Sequence, residues 1–144
     1  MNTGMDATLR FRDRPHRAPP VPRASARRCL VVTGDASLRH RIHAAALAAG
    51  HVCDSPIDAA ALATAGTAFD VVFIDIVRPP PGVAATVADV VGVFAADGAT
   101  RVVVLGAADR PEDEIQMRQL GICVYLPGAT AGPGLSAFAR AMCA

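Results

Sequence analysis

From residue 29 onward, short apolar runs alternate with longer stretches in which apolar residues recur at helical spacing. The run at 71–74 is continuously apolar, as expected of a central parallel strand buried on both faces. This alternation predicts an α/β fold, in which helices cover both faces of a doubly wound, five-stranded parallel sheet. The predicted strands are CLVVT (29–33), HVCD (51–54), DVVFIDI (70–76), RVVVLG (101–106) and ICVYL (122–126).

Capping residues and glycines divide the intervening stretches into five predicted helices. The first helix is capped by Asp35 or Ser37 and stops at Gly50. The second begins with Ser55 as its cap and Pro56 at its first helical position. The remaining predicted helices span 83–98, 110–121 and 132–142.

The first 28 residues differ from the rest of the chain. They contain seven arginines against two aspartates, several prolines and almost no periodic apolar residues. Such a segment buries too little apolar surface to offset the entropy lost on ordering, so we predict a disordered basic tail over 1–28 and one domain over 29–144. Because Phe11 is the only aromatic residue in the tail, base stacking has little support and a nucleic-acid partner is not expected.

Composition and short motifs argue against several classes of protein function. All fourteen basic residues are arginines, and no apolar run approaches the roughly 18 residues of a membrane span. The four cysteines are far apart in sequence and form no C-x-x-C pair, which argues against a zinc site or a disulfide framework and favours a reducing, cytoplasmic setting. Nucleotide-binding glycine motifs and a nucleophile elbow are also missing, so we do not expect an enzyme.

Asp75 at the end of the third predicted strand is the most conspicuous polar residue. In open parallel sheets, reacting groups gather at the carboxyl ends of the strands, where Asp75 lies. An aspartate that leaves a strand is also a common turn residue. The pattern by itself leaves both interpretations open.

Residues 29–143 resemble the receiver domain of two-component response regulators. The resemblance rests on three stretches in the right order and spacing, LVVTGDASLR…LAAG, FDVVFIDIVRP and QLGICVYLPG. It implies a CheY-like, flavodoxin-like (βα)5 fold with strand order 2-1-3-4-5. It also implies that Asp75 is the phospho-acceptor, Pro79 the turn proline, Gly121 the glycine ahead of strand five and Tyr125 the aromatic switch residue.

The acidic pair that holds Mg²⁺ in this family is replaced here. Thr33 and Gly34 occupy the two positions, and Asp35 follows one residue later. Mg²⁺ needs near-octahedral oxygen ligands, so we expect at most weak binding, through Asp35 and Asp75. Arg78 is a candidate cation for a phosphoryl group, since a guanidinium binds phosphate well.

Other positions of the family's machinery also differ. Gly106 replaces the hydroxyl residue that ends strand four, Gly128 replaces the lysine after strand five, and Ala129 replaces the next proline. No lysine elsewhere in the chain takes over that role. Without the strand-four hydroxyl, Tyr125 is either a switch residue coupled by another route or an ordinary, partly buried tyrosine with its hydroxyl at the surface.

These departures predict a degenerate receiver, or pseudo-receiver. We expect signalling by protein–protein contact through the face of helix 4, strand 5 and helix 5, with a homodimer as one possible partner arrangement. One alternative is a working phosphorelay receiver that uses Asp35, Asp75 and Arg78. Another is a small-ligand sensor, whose pocket is the strand-end crevice emptied of side chains by Gly34, Gly106 and Gly128.

Overall fold

The computed structural model describes residues 27–122, 124–128 and 134–143. Nearly all of the predicted tail, together with Cys123 and Ala129, lies outside these residues. The first strand begins at Arg28, one residue earlier than predicted.

Five parallel strands form a single sheet in the order β2-β1-β3-β4-β5, which confirms the predicted fold and strand order. Helices follow each strand, so the sheet is doubly wound. The strands are β1 (Arg28–Val32), β2 (Val52–Asp54), β3 (Val71–Asp75), β4 (Arg101–Gly106) and β5 (Val124–Pro127). The helices are α1 (Ala36–Ala48), α2 (Ala59–Ala65), α3 (Val87–Ala95), α4 (Pro111–Gln119) and α5 (Gly134–Cys143).

The helix starts agree with the sequence for α1 and differ for α2. Asp35 caps α1, and its Oδ1 accepts the backbone N–H groups of Ser37 and Leu38. The predicted start of α2 at Pro56 is wrong, because Asp58 is the cap and accepts the N–H of Ala61. Both Ser and Asp are strong capping residues, so the local sequence allowed either start.

The third helix is shorter than the predicted 83–98. A 3₁₀ turn covers Ala84–Thr86, and the α-helix itself ends at Ala95. The side chain of Asp97 accepts the N–H of Ala99. Such a local turn competes with further helical bonds and ends the helix before Gly98.

Alternate residues of β3 pack into two cores, one on each face of the sheet. Val71 and Phe73 join the core beneath α1 and α5, whereas Val72 and Ile74 join the core beneath α3 and α4. Every residue of β3 is buried, so the strand is central, as its continuous apolar run predicts. The carboxyl ends of β1, β3, β4 and β5 therefore meet at one edge of a rigid sheet.

Within the described residues, the longest helix is α1 with 13 residues. None of the helices in the part of the chain that the structure describes is both long and apolar enough to cross a membrane.

Candidate functional site

Asp75 lies at the carboxyl edge of the sheet with both carboxylate oxygens hydrogen-bonded inside the protein. The residue is only 1% exposed. Its Oδ2 accepts a hydrogen bond from Thr33 Oγ1 at 2.8 Å. Its Oδ1 accepts the backbone N–H groups of Val77 at 2.9 Å and Arg78 at 3.1 Å. These two backbone bonds form a turn of the kind that aspartate side chains stabilise, so Asp75 closes the loop that follows β3.

Thr33 connects the loops that follow β1 and β3. Its buried hydroxyl donates to Asp75 and accepts the backbone N–H of Asp35 at 3.0 Å. β1 and β3 are direct neighbours in the sheet, with Val32 opposite Ile74, which places Thr33 beside Asp75. A neutral hydroxyl donor thus stands where the family resemblance places an acidic metal ligand.

Asp35 and Arg78 form an ion pair at the outer side of this edge. Arg78 Nη1 is 3.5 Å from Asp35 Oδ2, while Asp35 Oδ1 caps α1. The Arg78 side chain is 72% exposed, so solvent screens the pair and its contribution to stability is about 0–1 kcal/mol. The structure therefore directs this guanidinium toward Asp35 at the surface.

Gly34 brings the two loops into backbone contact. Its N–H donates to Arg78 O at 2.6 Å. A Cβ at this position would lie 2.9 Å from Pro79 O and 3.1 Å from Arg78 O. Because carbonyl groups of the backbone cannot swing aside as side chains do, the second acidic position of the family has no room for a carboxylate.

Tyr125 is turned inward over Gly106. The tyrosine is 4% exposed, and a Cβ at Gly106 would overlap its Oη and Cζ atoms. The alternative that places its hydroxyl at the surface is therefore wrong: Oη is buried and has no hydrogen-bond partner among the described residues. The ring fills the space that the missing strand-four side chain leaves.

Burial raises the pKa of the Tyr125 phenol above its ordinary value of 10.0. The carboxylates of Asp113, Glu114 and Glu112 add to this rise, because they disfavour a second negative charge, and Arg110 opposes it. The neutral phenol is thus the form that the folded protein favours.

Gly128 stands where the receiver resemblance implies a lysine. It has a φ of 68°, a conformation that glycine adopts without strain. Its N–H donates to Gly106 O at 2.8 Å, and a Cβ there would lie 3.0 Å from Ala108 Cβ. The expectation that Gly34, Gly106 and Gly128 empty a crevice is therefore wrong, because backbone or side-chain atoms fill the space at each glycine.

Thr33 is the residue whose role the sequence did not predict. The resemblance identified Thr33 only as a position where an acidic residue of the family is replaced. The feature that could have predicted this role is a hydroxyl at the end of β1, because β1 lies next to β3 in the predicted strand order. Because Thr33 and Asp75 are 42 residues apart in the chain, only the paired strands reveal the hydrogen bond.

Several solved structures share this architecture. The phosphorylated cyanobacterial phytochrome response regulator RcpA superposes with a TM-score of 0.65 at 14% identity, covering 82% of this chain and 91% of that chain. This chain has the receiver-domain fold. CheY4 of Vibrio cholerae gives 0.62 at 19% identity over 83% of this chain and all of its own length. The BeF₃-activated DrrB receiver domain gives 0.65 at 15% identity over 81% and 97% of the two chains.

The fold of this chain has clear structural matches, whereas its sequence does not have sequence matches. No family model and no curated protein matches it. Because the superposed receiver domains share only 14–19% sequence identity with this chain, the structural similarity establishes the arrangement of strands and helices alone. The chemistry of this chain has to be argued from its own residues.

Proposed function

We propose that this chain is a receiver-like signalling module that binds protein partners without magnesium-dependent phosphorylation of Asp75. In this proposal it is not an enzyme, it needs no cofactor and it works in the cytoplasm. The observation that carries the proposal is the fully hydrogen-bonded carboxylate of Asp75.

Phosphoryl transfer to a carboxylate requires an oxygen that is free to attack phosphorus and cations that neutralise the transferred oxygens. Both oxygens of Asp75 are engaged by Thr33 and by the turn after β3, and the residue is buried. The nearest arginine in sequence, Arg78, pairs with Asp35 instead. This arrangement favours a structural role for Asp75.

Magnesium has no role in the proposal, because the oxygen donors at this edge do not fit its octahedral coordination. Asp35 is committed to capping α1 and to Arg78, and Asp75 accepts three hydrogen bonds. The contact of Gly34 with Pro79 leaves no space for a further carboxylate. Binding an ion would require the two loops to separate.

The face of α4, β5 and α5 is the proposed contact surface. Ile115 on α4 is 62% exposed, and Leu120 at the end of the same helix is also exposed. Beneath this face, Tyr125 is already packed over Gly106. Tyr125 is thus inward without any modification of Asp75, which supports phosphorylation-independent binding.

Intact-mass measurement with Mg²⁺ and acetyl phosphate tests the proposal directly. We expect no added phosphate on the parent protein, as for the Asp75→Asn control. We also expect amide NMR spectra that do not change when Mg²⁺ and beryllofluoride are added. Phosphate on the parent alone would contradict the proposal and establish the working phosphorelay receiver instead.

The contact surface has its own test, which begins with self-association. Sedimentation over a range of concentrations would compare the parent with Ile115→Glu and with Leu47→Glu, a variant of another strongly exposed apolar residue, on α1. A homodimer through the proposed face is lost in Ile115→Glu alone. Loss of the dimer in Leu47→Glu alone would contradict the proposed face and indicate that the contact surface lies on α1.

A further inference from the structure

Three cysteines that are far apart in sequence meet in the core on the α1 and α5 side of the sheet. Cys29 lies on β1, Cys53 on β2 and Cys143 at the end of α5. Cys29 and Cys143 belong to the buried core, and Cys53 packs against it. Their separation in sequence argues against a disulfide framework, whereas the fold brings three of the thiols together.

Cys29 and Cys53 are direct register partners on neighbouring parallel strands. Neighbouring strands lie about 4.8 Å apart, inside the range of roughly 4.4–6.8 Å between the Cα atoms of disulfide-bonded cysteines. Both side chains face the same core. The backbone thus already holds the pair at a separation that a disulfide spans.

The neighbouring thiols of Cys143 and Cys53, together with burial, raise the pKa of the Cys29 thiol. The Cys29 thiol therefore keeps its proton at neutral pH. Because the thiolate is the reactive form of cysteine, Cys29 is not the thiol that an oxidant attacks first. Its position opposite Cys53 in the sheet is what places its sulfur to attack an oxidised Cys53 sulfur.

Solvent reaches the cluster through Cys53. Cys29 and Cys143 are buried, whereas Cys53 is partly exposed and lies on the edge strand of the sheet. It lines a groove of about 440 Å³ between α1 and β2, together with His40, His43 and His51. An oxidant from solution therefore meets Cys53 first, in a groove that three histidines line.

We propose that Cys53 and Cys29 form a reversible disulfide in response to a hydroperoxide. The Cys53 thiol loses its proton, its sulfur attacks one peroxide oxygen and the O–O bond breaks. The leaving oxygen takes up a proton in place of the one that the thiol released, and it departs as an alcohol, or as water from hydrogen peroxide. Cys53 is then a sulfenic acid. Cys29 sulfur attacks Cys53 sulfur, the S–O bond breaks, and water leaves with the Cys29 proton. Two thiols are oxidised by two electrons, and the peroxide is reduced.

The full chain, reduced and then treated with hydrogen peroxide, tests this assignment by mass spectrometry. Trypsin cleaves this lysine-free chain after arginine, except before proline, so each cysteine falls in a separate peptide: 29–39, 42–101, 119–140 or 141–144. We expect a mass lower by two hydrogen atoms and a link between 29–39 and 42–101. Dithiothreitol should reverse both changes.

Two variants test which cysteines form the disulfide. Cys53→Ser should abolish the link, and Cys143→Ala should retain it, since Cys143 takes no part in the bond. Peptide mapping of the parent does not depend on either variant folding. A link from 29–39 only to 141–144, or Cys53 oxidised to sulfinic acid without any link, would overturn the proposal.

Discussion

The ring of Tyr125 lies over Gly106, in the volume that any other residue at position 106 would need for its own side chain. The two residues belong to neighbouring strands, β5 and β4, and Gly106 pairs with Pro127 in the sheet. A strand-four side chain and an inward tyrosine therefore exclude one another. Because the chain contains one tyrosine and no tryptophan, its intrinsic fluorescence reports on this contact.

Gly106→Thr places the family's hydroxyl residue back at the end of β4 and forces Tyr125 out of its site. Overpacking of a closed core costs about 1–3 kcal/mol. We expect a loss of that size in the free energy of unfolding measured with urea. Tyrosine fluorescence should also become more accessible to a collisional quencher.

Gly92→Ala is the matched control for Gly106→Thr, because a Cβ at Gly92 on α3 meets nothing within 4 Å. Alanine in a helix interior is favoured over glycine by about 1 kcal/mol, so this control should unfold at the same or a higher urea concentration. Unchanged stability and unchanged quenching in Gly106→Thr would contradict the packing of Tyr125 over Gly106.

Tyr125→Phe removes a buried hydroxyl that lacks a partner among the described residues. An unsatisfied buried polar group costs free energy, so we expect the variant to be unchanged or up to about 1 kcal/mol more stable. Equilibrium urea unfolding at neutral pH measures this difference. A marked loss of stability would indicate that the hydroxyl has a partner after all.

The stability of the parent should fall above pH 10 through Tyr125. Its folded pKa is raised above the ordinary 10.0, so above that pH the unfolded chain releases the phenol proton while the folded chain retains it. The free energy of unfolding then decreases until the pH reaches the folded pKa. The difference in alkaline stability between the parent and Tyr125→Phe isolates this effect, and absorbance titration of the phenol locates the folded pKa.

Thr33→Val deletes the hydroxyl that links Asp75 to the backbone of Asp35 while keeping the side-chain shape. Each buried group that loses its partner costs about 1–3 kcal/mol, and we expect a destabilisation in that range by urea unfolding. Thr64→Val, at an exposed threonine of α2, is the matched control and should change stability by less than about 0.5 kcal/mol. Equal effects in the two variants would rule out a structural link through Thr33.

Gly34→Asp places an acidic residue where the receiver resemblance implies a metal ligand, and we expect this variant still to fail to bind Mg²⁺. The new Cβ meets Pro79 O at 2.9 Å, and strain of this kind typically costs about 1–3 kcal/mol. Gly98→Ala, where nothing lies within 4 Å, should be tolerated. Mg²⁺-dependent amide shifts in Gly34→Asp would mean that the two loops can separate.

The sequence determined the parts of this protein that depend on neighbours along the chain. Apolar runs marked all five strands to within two residues at most of their ends, and Asp35 was one of the two predicted caps of α1. Two good capping residues, Ser55 and Asp58, made the start of α2 ambiguous. The family resemblance supplied the strand order, which periodicity alone does not contain.

Only the tertiary structure determined how the side chains of the candidate site are arranged. Whether Asp75 presents a free carboxylate depends on Thr33, 42 residues away, and the direction of Tyr125 depends on the empty space at Gly106. The meeting of Cys29, Cys53 and Cys143 likewise requires the pairing of β1 with β2 and the docking of α5. Strand and helix signals are short-range, whereas these contacts join distant residues, so packing against the assembled sheet is the physical step that creates them.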